Sequence, residues 1–91
     1  MRVRYCVVIQ KDGLDLEGTI EILSKYGTVC EYHDYKDGDD FDVVVFYMEG
    51  SFANLMGIKL GLNCVSAEDN EYVLFPMLNL EEKMKVLRAR A

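Results

Sequence analysis

Residues 41–48, Phe-Asp-Val-Val-Val-Phe-Tyr-Met, decide the fold of this chain. Such β-branched and aromatic residues are typical of a β-strand. A strand with one solvated face alternates apolar and polar residues, but here both alternating sets are hydrophobic. One set is Phe41, Val43, Val45 and Tyr47, and the other is Val44, Phe46 and Met48. The stretch therefore predicts a central strand with something packed against each face of its sheet.

An acidic hairpin is predicted just before this strand. Residues 29–35 favour another strand, and the Asp37-Gly38 pair between the two indicates a two-residue turn, because both central positions of that turn need positive φ. Residues 31–42 hold six acidic residues and one basic residue, so their net charge of 1 − 6 = −5 makes up most of the formal −6 of the chain. The hairpin is thus a concentrated negative projection.

Predicted strands and helices alternate on both sides of the hairpin. Residues 3–9 predict the first strand, and Asp15 can cap a helix whose apolar stripe ends before Gly27. After the hairpin, Ser51 caps a helix that ends at Gly61, and residues 63–67 predict a short fourth strand. The order is β-α-β-β-α-β.

Two further elements follow this pattern. Residues 72–78 predict another strand, which Pro76 would place at a sheet edge because proline cannot donate to a ladder. Asn79 and Glu82 form a capping box for a last helix with acidic residues first and basic residues after them. We therefore expect one α+β domain over residues 1–91, a ferredoxin-like βαββαβ two-layer sandwich with an extra C-terminal strand and helix.

In such a fold both helices cover one face of the sheet, and the other face needs a cover of its own. The last helix, a second subunit or a small ligand could each supply it, and the sequence leaves all three open. For the second subunit, we predict an oligomer interface formed by Val44, Phe46 and Met48. An uncovered apolar face would promote association.

Composition narrows the location and the partners. No apolar run approaches the roughly 20 residues of a membrane span, and the N-terminus does not lead into a signal-peptide core, so we expect a cytoplasmic protein with no membrane partner. Cys6, Cys30 and Cys64 are odd in number and widely spaced, which predicts three buried thiols and no disulfide framework. The acidic surface argues against direct nucleic-acid binding, which depends on Lys and Arg.

The sequence predicts no catalytic residue, metal or cofactor. His33 is the only histidine, and Cys30, three residues earlier on the same strand, is expected to point to the opposite face. The Cys and His residues lack zinc-finger spacing, and the acidic loop lacks the spacing of an EF-hand. No phosphate-binding glycine motif is present. We therefore do not expect an enzyme.

Residues 3–67 resemble an ACT domain, the small ligand-sensing module of amino-acid metabolism. The resemblance rests on the strand and its Asp12-Gly13 turn, the helix ending at Gly27, the hairpin, and the helix ending at Leu60-Gly61. It implies pairing through sheets or helices and a ligand held at the first strand–helix turn. That turn consists of Asp12, Gly13 and Leu14.

Two functions from different classes follow. The first is a non-catalytic regulatory or protein-interaction module, homo-oligomeric through its sheet. The alternative is an acidic inhibitor or adaptor of the phage type, whose hairpin mimics nucleic acid and blocks the basic groove of a nucleic-acid enzyme. The residues predicted to contact a protein partner in that case are Glu31, Tyr32, Asp34, Tyr35, Asp37, Asp39, Asp40 and Asp42.

Overall fold

The computed structural model describes residues 1–38 and 41–77, and the predicted last helix lies outside these ranges. Five strands and two helices form in the described part, with a 3-10 turn at Ser24–Tyr26 after the first helix. In chain order they are β1 Arg2–Gln10, α1 Leu16–Leu23, β2 Thr28–Asp37, β3 Phe41–Ser51, α2 Phe52–Gly61, β4 Cys64–Ala67 and β5 Asn70–Pro76.

The strands form one mixed sheet in the order β2-β3-β1-β5-β4. β3 is antiparallel to both β1 and β2, β5 is parallel to β1, and β4 and β5 form an antiparallel pair. The predicted α+β class is confirmed. The order differs from the ferredoxin-like one, in which the first and fourth strands are neighbours, because β5 is inserted between β1 and β4.

The position of β5 contradicts the prediction of an edge strand from Pro76. β5 is flanked on both sides, but it pairs with β1 only at Cys6↔Val73 and Val7↔Leu74. Pro76 lies beyond those pairs, opposite Cys64 of β4. The missing N–H of Pro76 therefore removes no hydrogen bond from the β1–β5 ladder.

Side-chain caps start both helices where the sequence predicts them. The Asp15 carboxylate accepts a hydrogen bond from the Gly18 N–H at 3.2 Å. The Asn54 N–H donates to the Ser51 hydroxyl at 3.1 Å, and the Ser51 N–H donates to the Asn54 side-chain oxygen at 2.9 Å. These bonds satisfy backbone donors that the first turn of a helix leaves free.

The hydrophobic core lies between the two helices and one face of the sheet, which we call the covered face. Helices α1 and α2 contribute to a single cluster of buried residues, so both pack on this face. Burial of these apolar side chains is the main favourable term for the fold. The strand residues of the cluster are Tyr5, Val7, Ile9, Val44, Phe46, Met48, Cys64 and Leu74.

Gly27 fits the turn between α1 and β2 tightly against β1. Its φ of 138° is one that L side chains rarely adopt. A Cβ here would clash with the Tyr5 hydroxyl and come within 2.8 Å of the Glu49 carbonyl oxygen. The Tyr5 hydroxyl also donates to the Tyr26 carbonyl, so this turn is tied to the covered face.

The predicted hairpin between β2 and β3 forms, with a longer connection than expected. Asp37 pairs with Phe41, so residues 38–40 connect the strands and the predicted two-residue turn is wrong. Gly38 has a φ of 66°, which glycine adopts without steric cost. The hairpin is long, since β2 spans 10 residues and β3 spans 11.

Candidate interaction surface

The register of the central strands determines which side chains share the face away from the helices. Directly paired residues point to the same side of a sheet. Val45 of β3 lies opposite both Val8 of β1 and His33 of β2. Neither of these valines belongs to the core cluster. The open face, as we call this side, carries Arg4, Cys6, Val8, Glu31, His33, Tyr35, Val43, Val45, Tyr47, Glu49 and Val73.

The structure places the predicted interface residues on the covered face. Val44, Phe46 and Met48 are 1%, 0% and 2% exposed and belong to the core cluster. Their side chains are used within a single chain, so a second copy cannot contact them. The alternating set of β3, which contains Val43, Val45 and Tyr47, lies on the open face instead.

The centre of the open face is apolar. Cys6, Val8, Val45 and Val73 are half-buried there. Val43 is only 6% exposed, yet it is not a member of the core cluster. The sheet thus has apolar side chains on both sides, and in the described part of the chain both helices pack on one of them.

An aromatic cluster borders this apolar centre on the β2 side. The Tyr35 and Tyr47 hydroxyls share a hydrogen bond at 3.0 Å, and the His33 ring meets the Tyr47 ring edge-on with centroids 5.7 Å apart. His33 Nε2 lies 3.2 Å from a Glu31 carboxylate oxygen. The hydrogen bond with Tyr35 and then burial raise the pKa of Tyr47 to about 12.

Opposite charges lie around a shallow depression on the same face. The depression has a volume of about 420 Å³, and its lining includes Arg4, Glu31, Tyr47 and Glu49. Arg2 Nε lies 3.7 Å from a Glu49 carboxylate oxygen. The border of the open face is therefore charged with both signs, whereas its centre is apolar.

The three thiols differ in exposure, so the prediction that all are buried is wrong. Cys64 is buried, Cys6 on the open face is half-buried, and Cys30 is exposed. All three are free. Burial raises the pKa of the Cys6 thiol, which makes it less reactive at neutral pH than an exposed thiol.

The predicted acidic contact residues are exposed along β2. Glu31, Tyr32, Asp34 and Tyr35 are all exposed. Asp34 accepts a hydrogen bond from Lys11 Nζ at 2.8 Å, and this bond raises the pKa of Lys11. Asp42 at the start of β3 is exposed as well. The side chain of Asp37 and residues 39 and 40 lie outside the described part.

The predicted ligand turn at Asp12, Gly13 and Leu14 is a closed β-turn. The Leu14 N–H donates to the Lys11 carbonyl at 2.9 Å, and Gly13 has a φ of 69°. The Leu14 amide is therefore used within the turn. A ligand at this position stays a prediction.

The thiol of Cys30 and the imidazole of His33 contact different acids. Cys30 Sγ lies 3.8 Å from a Glu49 carboxylate oxygen, and His33 bonds Glu31. Among residues 1–38 and 41–77, no group of three or more Cys, His, Asp or Glu side chains could hold a metal ion. Among the described residues, those of the open face form the candidate interaction site.

Sequence reasoning missed Cys6, Arg4, Tyr47 and Glu49 as site residues. The polar residues at the ends of each apolar set of strand residues could have identified them. In β1 the set of Cys6 and Val8 is flanked by Arg4 and Gln10, and in β3 the open set ends at Glu49. Polar residues at the ends of one set mark the side of a strand that approaches solvent.

Comparisons with protein-family models, curated proteins and solved structures gave no match to this chain. No helix in the described part is long and apolar enough to cross a membrane.

Proposed function

We propose that this chain is a non-catalytic protein-interaction module of the regulatory kind that self-associates through its open face. The observation that carries the proposal is the apolar centre on the side of the sheet that faces away from both helices. The resemblance of residues 3–67 to ACT domains supports a regulatory role. Three cysteines without a disulfide are compatible with the reducing cytoplasm.

A second copy of the chain is the partner that fits this face best. A two-fold interface brings the same patch together from both subunits, so it must be self-complementary. The open face has apolar residues at its centre, and Arg4 and Glu31 lie near its border. Each copy can therefore offer an Arg4 to an acidic residue of its partner.

The size of the face suits a dimer. Strands lie about 4.8 Å apart and rise about 3.4 Å per residue, so a five-stranded sheet offers several hundred square ångströms. A standard interface buries about 800 Å² on each partner. The border pairs are exposed and contribute about 0–1 kcal/mol each, so they set orientation while apolar burial supplies the affinity.

Light scattering at micromolar concentration tests the proposal, with Val45→Asp as the disruptive variant. We expect the wild type to be a dimer or larger. Val45→Asp should weaken association at least ~100-fold, since an unpaired carboxylate in an apolar interface costs roughly 3 kcal/mol or more. The matched control is Leu60→Asp on α2, where the side chain is 77% exposed, and it should leave the oligomer intact.

A strictly monomeric wild type would refute self-association, and so would an oligomer that Val45→Asp does not weaken. Circular dichroism shows whether the variants fold. If Val45→Asp does not fold, the isosteric Val45→Thr combined with Val8→Thr should weaken association less but in the same direction.

A further inference from the structure

The two edges of the sheet differ in length and in exposure. β2 forms one edge and, in the described part of the chain, pairs only with β3. Its residues from Cys30 to Lys36 are all exposed. The opposite edge is β4, which has only 4 residues. An edge strand presents unpaired N–H and C=O groups to any extended chain that approaches it.

The outer edge of β2 is long and regular enough to accept another strand. Its pairing with β3 is interrupted once, between Val29 and Glu31, and runs without a shift from Glu31 to Asp37. At about 3.4 Å per residue, this regular part offers an edge of roughly 20 Å. Short edge strands and bulges are common defences against unwanted pairing, and this part of β2 has neither.

The charge of β2 determines which strand it attracts. Thr28–Asp37 contains three acidic residues and one lysine, a net charge of 1 − 3 = −2. Two copies of this edge repel each other, whereas an extended segment rich in Lys and Arg is attracted. Glu31 lies on the open-face side of β2 and Asp34 on the other, so each row of side chains of an added strand meets an acid. Within the chain, Asp34 also bonds Lys11 and Glu31 also bonds His33, so an added base would share these carboxylates.

We propose that the outer edge of β2 binds an extended, Lys- and Arg-rich segment of another protein by adding it to the sheet as a further strand. Main-chain hydrogen bonds supply the affinity of such binding, and the side chains supply selectivity. Glu31 and Asp34 select basic residues. Tyr32 and Tyr35, 43% and 45% exposed, offer aromatic surface to the stems of those bases. The main-chain groups of the site lie at the strand edge, and Tyr32 and Asp34 lie on the side away from the open face, so the site does not depend on self-association.

Fluorescence anisotropy with a labelled seven-residue peptide tests the proposal. The peptide alternates Arg or Lys with Val or Thr and has blocked termini. Two isomers carry backbone N-methyl groups on either the odd or the even residues. An added strand directs alternate N–H groups toward its neighbour, so one isomer should bind at least ~10-fold more weakly than the other. A purely electrostatic contact would treat both isomers alike.

Protein variants of equal charge locate the site. Neutralising β2 with Glu31→Gln and Asp34→Asn should weaken binding about 10-fold, the order expected for two exposed ion pairs. The matched control, Glu17→Gln with Glu21→Gln on exposed positions of α1, should leave affinity unchanged. In NMR spectra, the peptide should shift the amide signals of residues 31–36 and leave those of β4 in place.

The proposal would be overturned if the peptide did not bind or if the two N-methyl isomers bound equally. It would also be overturned if the α1 control lost as much affinity for the peptide as the β2 variant. Light scattering of the single variant Asp34→Asn, whose side chain lies on the side of β2 away from the open face, separates this result from self-association. Asp34→Asn should weaken peptide binding and leave the oligomer intact.

Discussion

The two faces of the central sheet are both apolar at their centres, yet they differ in burial and in the charge of their borders. Tyr5, Phe46 and Met48 on the covered face are large and at most 2% exposed. Val8 and Val45 on the open face are small, half-buried and bordered by charged residues. Partial exposure and charged neighbours, more than hydrophobicity, distinguish the open face from the face packed within the chain.

The largest expected effect comes from truncating one residue on each face. Phe46→Ala should lower the free energy of unfolding by about 3–5 kcal/mol, because it leaves a cavity in the core. Val45→Ala, one residue earlier, should cost less than about 1 kcal/mol at concentrations where the chain is monomeric. Urea denaturation of dilute protein measures both. Similar losses would contradict the assignment of the two faces.

Glycine substitutions test the turn that is tied to the covered face. Gly27→Ala should cost roughly 3 kcal/mol, because its backbone has positive φ and its Cβ would meet Tyr5 and the Glu49 carbonyl. Gly38→Ala also has positive φ but would meet nothing within 4 Å, so roughly 1 kcal/mol is expected. Urea denaturation measures both losses of unfolding free energy. A larger loss for Gly38→Ala than for Gly27→Ala would contradict the tight packing of Gly27.

The smallest expected effect is a change in the titration of the open face. In the folded protein the pKa of Tyr47 rises from 10.0 to about 12, mainly through its hydrogen bond with Tyr35. The fold therefore favours the neutral phenol. The resulting stabilisation is fully present below pH 10 and is lost as the pH rises toward 12.

Tyr35→Phe should lower the pKa of Tyr47 toward its ordinary value, as followed by ultraviolet absorbance or NMR. Tyr32→Phe is the control, since the Tyr32 ring packs near Phe46, with centroids 6.0 Å apart, on the covered-face side of the strand. It should leave the pKa of Tyr47 unchanged. Equal shifts in the two variants would mean that the Tyr35 hydroxyl is not the cause.

Local signals in the sequence predicted the elements well. Asp15 and Ser51 marked the helix starts because capping depends on side chains within the first turn. Apolar runs located β1 and β3, and Asp37-Gly38 located the hairpin, although not the length of its connection. These features depend on residues that are close in sequence.

Two features could not be predicted in this way. The insertion of β5 beside β1 brings together Cys6 and Val73, which are far apart in sequence. Pro76 indicated an edge strand, but it lies beyond the residues of β5 that pair with β1. The choice of covered face failed because both sets in β3 are apolar. Only the pairing of β3 with β1 and β2, together with the packing of the helices, decides which set is buried.

Concentration-dependent labelling of Cys6 tests most directly whether a second copy occupies the open face. Cys6 is half-buried on that face. Leu60 on α2 is 77% exposed and lies on the other side of the sheet, so Leu60→Cys supplies a reference thiol. Alkylation of each thiol can be followed by mass spectrometry over a range of protein concentrations. We predict that Cys6 reacts faster as the protein is diluted, while the reference thiol of Leu60→Cys reacts at a constant, higher rate. A rate for Cys6 that is independent of protein concentration would contradict occupation of this face by a second copy.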